Sequence, residues 1–111
     1  MRLPWRGALV VAAAAGLCAV AAPLLAKDTA SKLIVVSMKD LAYAPATVTA
    51  HVGDRVAWAN NDIFLHSATT PDFDVVLKPG ASGGVRLLKP GVISYICRYH
   101  PGMKGQIVVV K

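Results

Sequence analysis

The stretch TVTAHVGDRVAWAN, residues 47–60, predicts two β-strands joined by a tight turn. From Thr47 to Val52 apolar residues alternate with polar ones, and this period of two places the apolar side chains on one face of a strand. Gly53-Asp54 is typical of a turn, and the apolar, partly β-branched run Arg55–Asn60 follows it as a second strand. The fold of the region is therefore predicted to be built from short strands.

The same pattern continues on both sides of this stretch. Turn signals occur at Lys78-Pro79-Gly80 and Lys89-Pro90-Gly91, and helical spacing is weak throughout. Many short strands at close spacing favour a Greek-key β-sandwich or barrel. We therefore predict an all-β domain whose further strands are Lys32–Met38, Val85–Leu88, Gly91–Cys97 and Gln106–Val110.

The N-terminal residues have the composition of a secretory signal peptide. Arg2 and Arg6 precede an uncharged apolar run, residues 7–26, that ends in the small residue Ala26. We predict cleavage after Ala26, with Ala21 as the second choice, which leaves residues 27–111 as one exported, periplasmic domain. An uncleaved membrane anchor is the alternative, because the run is long enough to span a bilayer. Lipid attachment at Cys18 is disfavoured by Leu17, where lipoprotein signals have a small residue.

The charge of the chain limits its partners. The net charge is +6, and the chain stays basic when Arg2 and Arg6 are removed. The basic residues are scattered, and no basic run is interleaved with aromatic residues, so nucleic-acid binding is not expected. Arg98 and Lys104 lie close to His100 in sequence and could direct an acidic partner there.

Cysteine usage indicates a metal, a free thiol or a bridge between chains. Of the two cysteines, Cys18 belongs to the predicted signal peptide, so the exported domain keeps Cys97 alone. A single thiol cannot form an internal disulfide in an oxidising compartment. The residues around Cys97 decide among the three possibilities.

The stretch CRYHPGM, residues 97–103, has the spacing of a metal-ligand loop. A thiolate, an imidazole and a thioether recur every third residue, at Cys97, His100 and Met103, beyond the end of a predicted strand. Two histidines and a cysteine in a plane with a long axial methionine form the blue-copper arrangement. Structural zinc would require four Cys/His ligands, and haem attachment would require a second cysteine before the histidine.

One imidazole is still missing from this set, and His51 and His66 are the candidates. His51 is predicted on the polar face of its strand, opposite the apolar residues. His66 follows the apolar stretch Ile63-Phe64-Leu65, which could hold it inside one end of the barrel. We therefore predict His66 as the remaining ligand.

With these residues in place, the sequence resembles the cupredoxin family over nearly all of residues 32–111. The stretches LAYAPATVT (41–49) and GDRVAWANND (53–62) resemble the family pattern that leads to the first ligand. Phe73-Asp74 with Leu77-Lys78-Pro79-Gly80 resembles its middle segment, and residues 91–105 resemble its terminal ligand loop. Two residues between His100 and Met103 correspond to the shortest ligand loops in the family.

The resemblance implies a small blue copper protein, not an enzyme, that binds one copper ion and carries single electrons. Its metal ligands would be His66, Cys97, His100 and Met103. Donor and acceptor redox proteins would dock transiently near His100, whose ring edge would be the electron's exit, and the protein would be a monomer without stable membrane insertion. Family members often have asparagine directly after the first histidine, whereas this chain has Ser67, which can make a similar hydrogen bond. The alternative function is copper binding or delivery without redox cycling.

Overall fold

The computed structural model describes residues 30–111, which form nine β-strands and no helix within that range. No helix there is long and apolar enough to cross a membrane. The predicted signal peptide, residues 1–26, and its predicted cleavage site lie outside the described residues. The strands are Leu33–Lys39 (β1), Ala42–Ala44 (β2), Thr47–His51 (β3), Arg55–Asn60 (β4), His66–Thr69 (β5), Asp74–Leu77 (β6), Ser82–Arg86 (β7), Gly91–Cys97 (β8) and His100–Val110 (β9).

The strands form two mixed sheets that pack as a β-sandwich, so the predicted all-β fold is confirmed. One sheet has the order β2-β1-β4-β7 and the other β3-β9-β8-β5-β6. The pairs β1–β4 and β3–β9 are parallel, whereas the remaining pairs are antiparallel. Because β5 and β8 pair antiparallel, the start of β5 lies at the same end as the last residues of β8, and the loops after β4 and β8 meet there.

The core lies between the two sheets and is made by the inward face of each alternating strand. The side chains of Val36, Val56 and Trp58 are fully buried, and the Trp58 ring meets Tyr95 edge to face with centroids 5.2 Å apart. Tyr95 in turn packs against Tyr43 at 4.6 Å. Such aromatic pairs add to the free energy gained by burying their area. Trp58 and Tyr95 are therefore core residues, as predicted.

The strands were predicted well where alternation is regular and poorly where glycine interrupts it. Arg55–Asn60 and Gly91–Cys97 are confirmed, and the predicted Gln106–Val110 is the second half of β9. The strand predicted at Val85–Leu88 exists but lies earlier in the chain, since β7 is Ser82–Arg86. Its glycines Gly83 and Gly84 lie beside Trp58 and Ala57 of β4, where a side chain on Gly84 would collide with the backbone.

Candidate metal centre

Two loops at one end of the sandwich hold the predicted ligand residues. The first runs from Asn60, the last residue of β4, to His66, the first residue of β5. The buried Asn60 amide donates to the carbonyl oxygens of Phe64 and Leu77, both at 2.8 Å, and so fixes this loop to β6. The second is the two-residue turn after β8, where Cys97 is paired with His100. Asn60 was not predicted as part of the site, since its role depends on contacts 17 residues away.

Three of the four predicted ligands converge at this end. Nδ1 of His66 lies 3.2 Å from Nδ1 of His100, and Sγ of Cys97 lies 3.8 Å and 3.6 Å from these two nitrogens. The side chains of His66 and Cys97 are fully buried, and His100 is half-buried. Three soft or borderline donor atoms thus form a nearly regular triangle facing a common centre.

The triangle has the dimensions of a metal site. A point equidistant from the three atoms would lie about 2 Å from each, close to the bond length of a first-row metal ion to imidazole. The donor set, two imidazoles and one thiolate with a buried methionine nearby in sequence, fits a type 1 copper ion. Among residues 30–111 it is the one group of His, Cys, Asp or Glu side chains close enough together to hold a metal.

The other histidine and methionine lie elsewhere. His51, at the end of β3, is exposed on the face opposite the core, as predicted. Met38 is fully buried in the core of the domain. Met103, the fourth predicted ligand, is not one of these two: it is buried in β9, three residues after His100. His66 is fully buried at one end of the sandwich, as predicted, and the Phe64 ring packs edge to face against it with centroids 6.4 Å apart. Ile63 is exposed by 80%, so the apolar stretch covers His66 only through part of its length, and the pairing of His66 with Leu77 of β6 holds the rest.

A carboxylate lies behind the first imidazole. Nε2 of His66 is 2.9 Å from Oδ2 of Asp62, and the same oxygen accepts the backbone N–H of Leu41 at 3.1 Å. The hydrogen bond from His66, with those from Leu41 and Ile63, holds the pKa of Asp62 at about 2. Asp62 therefore stays ionised at neutral pH, fixes the His66 ring and leaves Nδ1 facing the centre. Asp62 was not predicted as part of the site. The only signal in the sequence was a carboxylate four residues before His66, and this spacing carries no meaning in a loop.

Ser67 joins the two ligand-bearing segments, as its place after His66 suggested. Its backbone N–H donates to Sγ of Cys97 at 3.3 Å, and its hydroxyl oxygen accepts the backbone N–H of Arg98 at 3.0 Å. Ser67 Oγ also lies 2.7 Å from the hydroxyl of Thr69, which donates to Asp74 at 2.7 Å. Asp74 then accepts from the Arg98 guanidinium at 2.8 Å. The four side chains thus form a closed ring of hydrogen bonds that holds Cys97 in place.

The surface around His100 is apolar. Phe64 lies beside the His100 ring with centroids 5.7 Å apart, and Pro101 and Gly102 are exposed on its other side. The Arg98 guanidinium is ion-paired with Asp74 and lies over the Tyr99 ring, 5.3 Å from its centroid. Arg98 is thus neutralised locally and adds little positive charge to this surface.

Comparisons with known proteins agree with this fold and donor set. The cupredoxin-like domain family matches residues 7–109, and the chain belongs to that family. It is 24% identical over 102 residues to amicyanin from Paracoccus versutus. This match covers 78% of this chain and 72% of amicyanin. A reduced proline-to-phenylalanine mutant of amicyanin superposes with a TM-score of 0.63 at 25% identity, over 69% of this chain and 81% of that one. A copper-containing nitrite reductase from Thermus scotoductus superposes with a TM-score of 0.62 at 29% identity, over 70% of this chain but 22% of the enzyme.

Proposed function

We propose that this chain is an exported electron carrier that binds one copper ion through His66, Cys97, His100 and Met103. The observation that carries the proposal is the triangle of His66 Nδ1, His100 Nδ1 and Cys97 Sγ, with sides of 3.2, 3.6 and 3.8 Å. Copper bound there would supply a one-electron Cu(I)/Cu(II) couple. Membership of the cupredoxin-like family supports the same conclusion.

The surrounding residues would keep the donor atoms still when the charge of the site changes. Asp62 orients His66, and the Ser67 ring of hydrogen bonds orients Cys97, while both ligand loops begin at the ends of core strands. A site that does not rearrange loses little energy to reorganisation on electron transfer. The N–H of Ser67 on the thiolate also withdraws negative charge from the sulfur, which helps to set the potential.

Electrons would leave through His100. Its ring is half-buried, whereas His66 and Cys97 have no exposed surface. Phe64 lies beside the His100 ring, and the exposed residues Ile63, next to Phe64, and Pro101, next to His100, extend this apolar face. Such a face suits brief docking of a redox protein, since it can be desolvated at little cost. We assign no catalytic reaction, because the proposed ligands are all protein side chains and leave no evident position for a substrate.

We also propose that residues 1–26 are removed on export and that residues 27–111 act in the periplasm as a monomer. The basic start and the apolar run of residues 7–26 support this proposal. N-terminal sequencing of the protein purified from its native cells should find Lys27 or a residue close to it. Retention of Met1 or Arg2 would contradict cleavage.

The spectrum of the copper-loaded protein tests the function. We expect an intense blue thiolate-to-Cu(II) absorption band and a reversible one-electron wave on an electrode. Cys97→Ser should abolish the band while the sandwich still folds, and His51→Gln, at an exposed histidine far from the triangle, should leave it unchanged. A colourless protein that binds only Cu(I) would instead support copper delivery, and a band that persists in Cys97→Ser would contradict the ligand assignment.

A further inference from the structure

The end of the sandwich opposite the metal centre carries an unusual row of residues. On the outer face of the first sheet, β1, β4 and β7 place Leu33, Arg55 and Arg86 side by side. Arg55 and Arg86 face each other across an antiparallel pair, where like charges repel. Among residues 30–111, neither guanidinium has a carboxylate within 4.0 Å. Within the described part of the chain, two positive charges are thus held together without a carboxylate partner for either.

Further exposed cations and leucines surround this row. Lys32 directly precedes β1, and Leu88 and Lys89 directly follow Leu87, whose N–H is bonded to the carbonyl of Asp54. The side chains of Leu33 and Leu88 are exposed by 60% and 72%. We call this surface the basic end, defined by Lys32, Leu33, Arg55, Arg86, Leu88 and Lys89.

The acidic groups near the basic end do not neutralise it. Asp54 is 4% exposed, and its carboxylate accepts the backbone N–H groups of Lys32 and His51. Asp72 is exposed and lines the same groove as Arg86 and Lys89, but it is one carboxylate against four cations and forms no ion pair with them. Two further carboxylates, Asp62 and Asp74, lie at the metal end and are bonded to His66 and Arg98 there. Among the described residues, the four cations of the basic end therefore outnumber the carboxylates near them.

We propose that the basic end binds the surface of a membrane that contains anionic lipid. Paired guanidiniums match the geometry of phosphate groups, and leucines beside them can enter the interface between headgroups and acyl chains. Exposed leucines distinguish this surface from one made for an acidic protein through charge alone.

This orientation would leave the metal centre accessible. Strand β4 runs from Arg55 at the basic end to Asn60 at the metal end, and six residues of strand extend about 17–20 Å. A protein held by Arg55 and Arg86 would therefore point His100 away from the lipid. The carrier could then diffuse along the membrane while its apolar face remained free to meet a redox partner.

Sedimentation with vesicles tests this proposal on the copper protein purified after export. We expect binding to vesicles of phosphatidylcholine with phosphatidylglycerol, and little binding to phosphatidylcholine alone. The variant Arg55→Gln/Arg86→Gln should bind the anionic vesicles about 30-fold more weakly, since each basic residue near such a surface contributes about 1 kcal/mol. The matched control, Lys39→Gln/Lys78→Gln, removes the same charge from exposed positions at the metal end and should bind nearly as the parent does.

Several results would overturn the proposal. They are equal binding to both kinds of vesicle, no binding to either, or an equal loss in the two double variants. Binding to soluble polyglutamate but not to vesicles would assign the basic end to an acidic protein, and a dimer that Arg55→Gln/Arg86→Gln dissociates would assign it to a second copy of the chain. Leu33→Ser/Leu88→Ser should weaken vesicle binding at constant charge. The visible band should be unchanged in all these variants, so failure of the copper assignment would be distinguishable.

Discussion

Nε2 of His66 lies 2.9 Å from Oδ2 of Asp62, so a carboxylate supports the buried imidazole from the side away from the thiolate. A carboxylate partner makes an imidazole a stronger donor and favours the more highly charged metal ion. Asp62→Asn should therefore raise the reduction potential. If Cu(II) affinity falls about tenfold and Cu(I) affinity is unchanged, the rise is about 59 mV. Cyclic voltammetry measures it.

Asp40→Asn is the control for this substitution. Asp40 is exposed in the turn between β1 and β2, close in sequence to Leu41, whose N–H is bonded to Asp62. The reduction potential of Asp40→Asn should equal that of the parent protein within the error of the voltammetry. A lowered or unchanged potential in Asp62→Asn would show that the carboxylate does not tune His66.

The Ser67 hydroxyl is expected to stabilise the thiolate loop. Ser67→Ala removes the fully buried hydroxyl that accepts the N–H of Arg98 and is bonded to Thr69, which should cost about 1–3 kcal/mol of unfolding free energy. Urea unfolding of the metal-free protein measures this cost. Ser37→Ala removes a hydroxyl that is bonded to Asn61 on the surface and should change stability by less than about 0.5 kcal/mol. Equal losses in both variants would contradict a special role for Ser67.

Met103 is proposed as the axial ligand. A thioether stabilises Cu(II) weakly, so replacing it with a stronger oxygen donor in Met103→Gln should lower the potential and shift or weaken the blue band without abolishing it. Met38→Leu replaces the buried core thioether with a side chain of similar volume and should leave both properties nearly unchanged. A drop in potential in Met38→Leu alone would exclude Met103 as the axial ligand.

Acid should weaken the fold through Asp54. The backbone N–H groups of Lys32 and His51 hold the pKa of Asp54 below its usual range. A carboxyl whose pKa is lowered by folding contributes stability at pH values above its unfolded pKa of about 3.9, and this contribution is lost as the pH falls through the lower folded value. Urea midpoints of the metal-free protein should thus fall less steeply in acid for Asp54→Asn than for the parent. Asp72→Asn, at an exposed position, should retain the parent slope.

Gly105 is required by the packing of Tyr95. The two residues are cross-strand partners in β8 and β9, and a Cβ atom on Gly105 would collide with the ring of Tyr95. Gly105→Ala should therefore destabilise the metal-free protein by about 1–3 kcal/mol, as core overpacking does. A Cβ atom on Gly102 would meet no atom within 4 Å, so Gly102→Ala is the control and should cost little. Similar thermal midpoints for the two variants would contradict this account.

The sequence alone was sufficient for what depends on near neighbours in the chain. The alternation in residues 47–60 predicted strands β3 and β4, because side chains two apart share a face whatever the strand pairs with. Cys97, His100 and Met103 could be recognised as a ligand loop because their spacing is local, and the single cysteine among residues 27–111 excluded a disulfide within that range. His66 was chosen by elimination, and the apolar residues before it indicated its burial but not the strand pairing that completes it.

Tertiary structure decided whatever depends on strand order and register. His66 reaches Cys97, 31 residues later, only because β5 pairs with β6 and β8, and the same pairing closes the hydrogen-bond ring from Ser67 to Arg98. Arg55 and Arg86 likewise become neighbours through the β4–β7 register, although each looks like an ordinary surface residue in the sequence. Side-chain alternation specifies which face of a strand is buried, but it carries little information about which strand lies beside it, because that choice is made by long-range packing of the whole core.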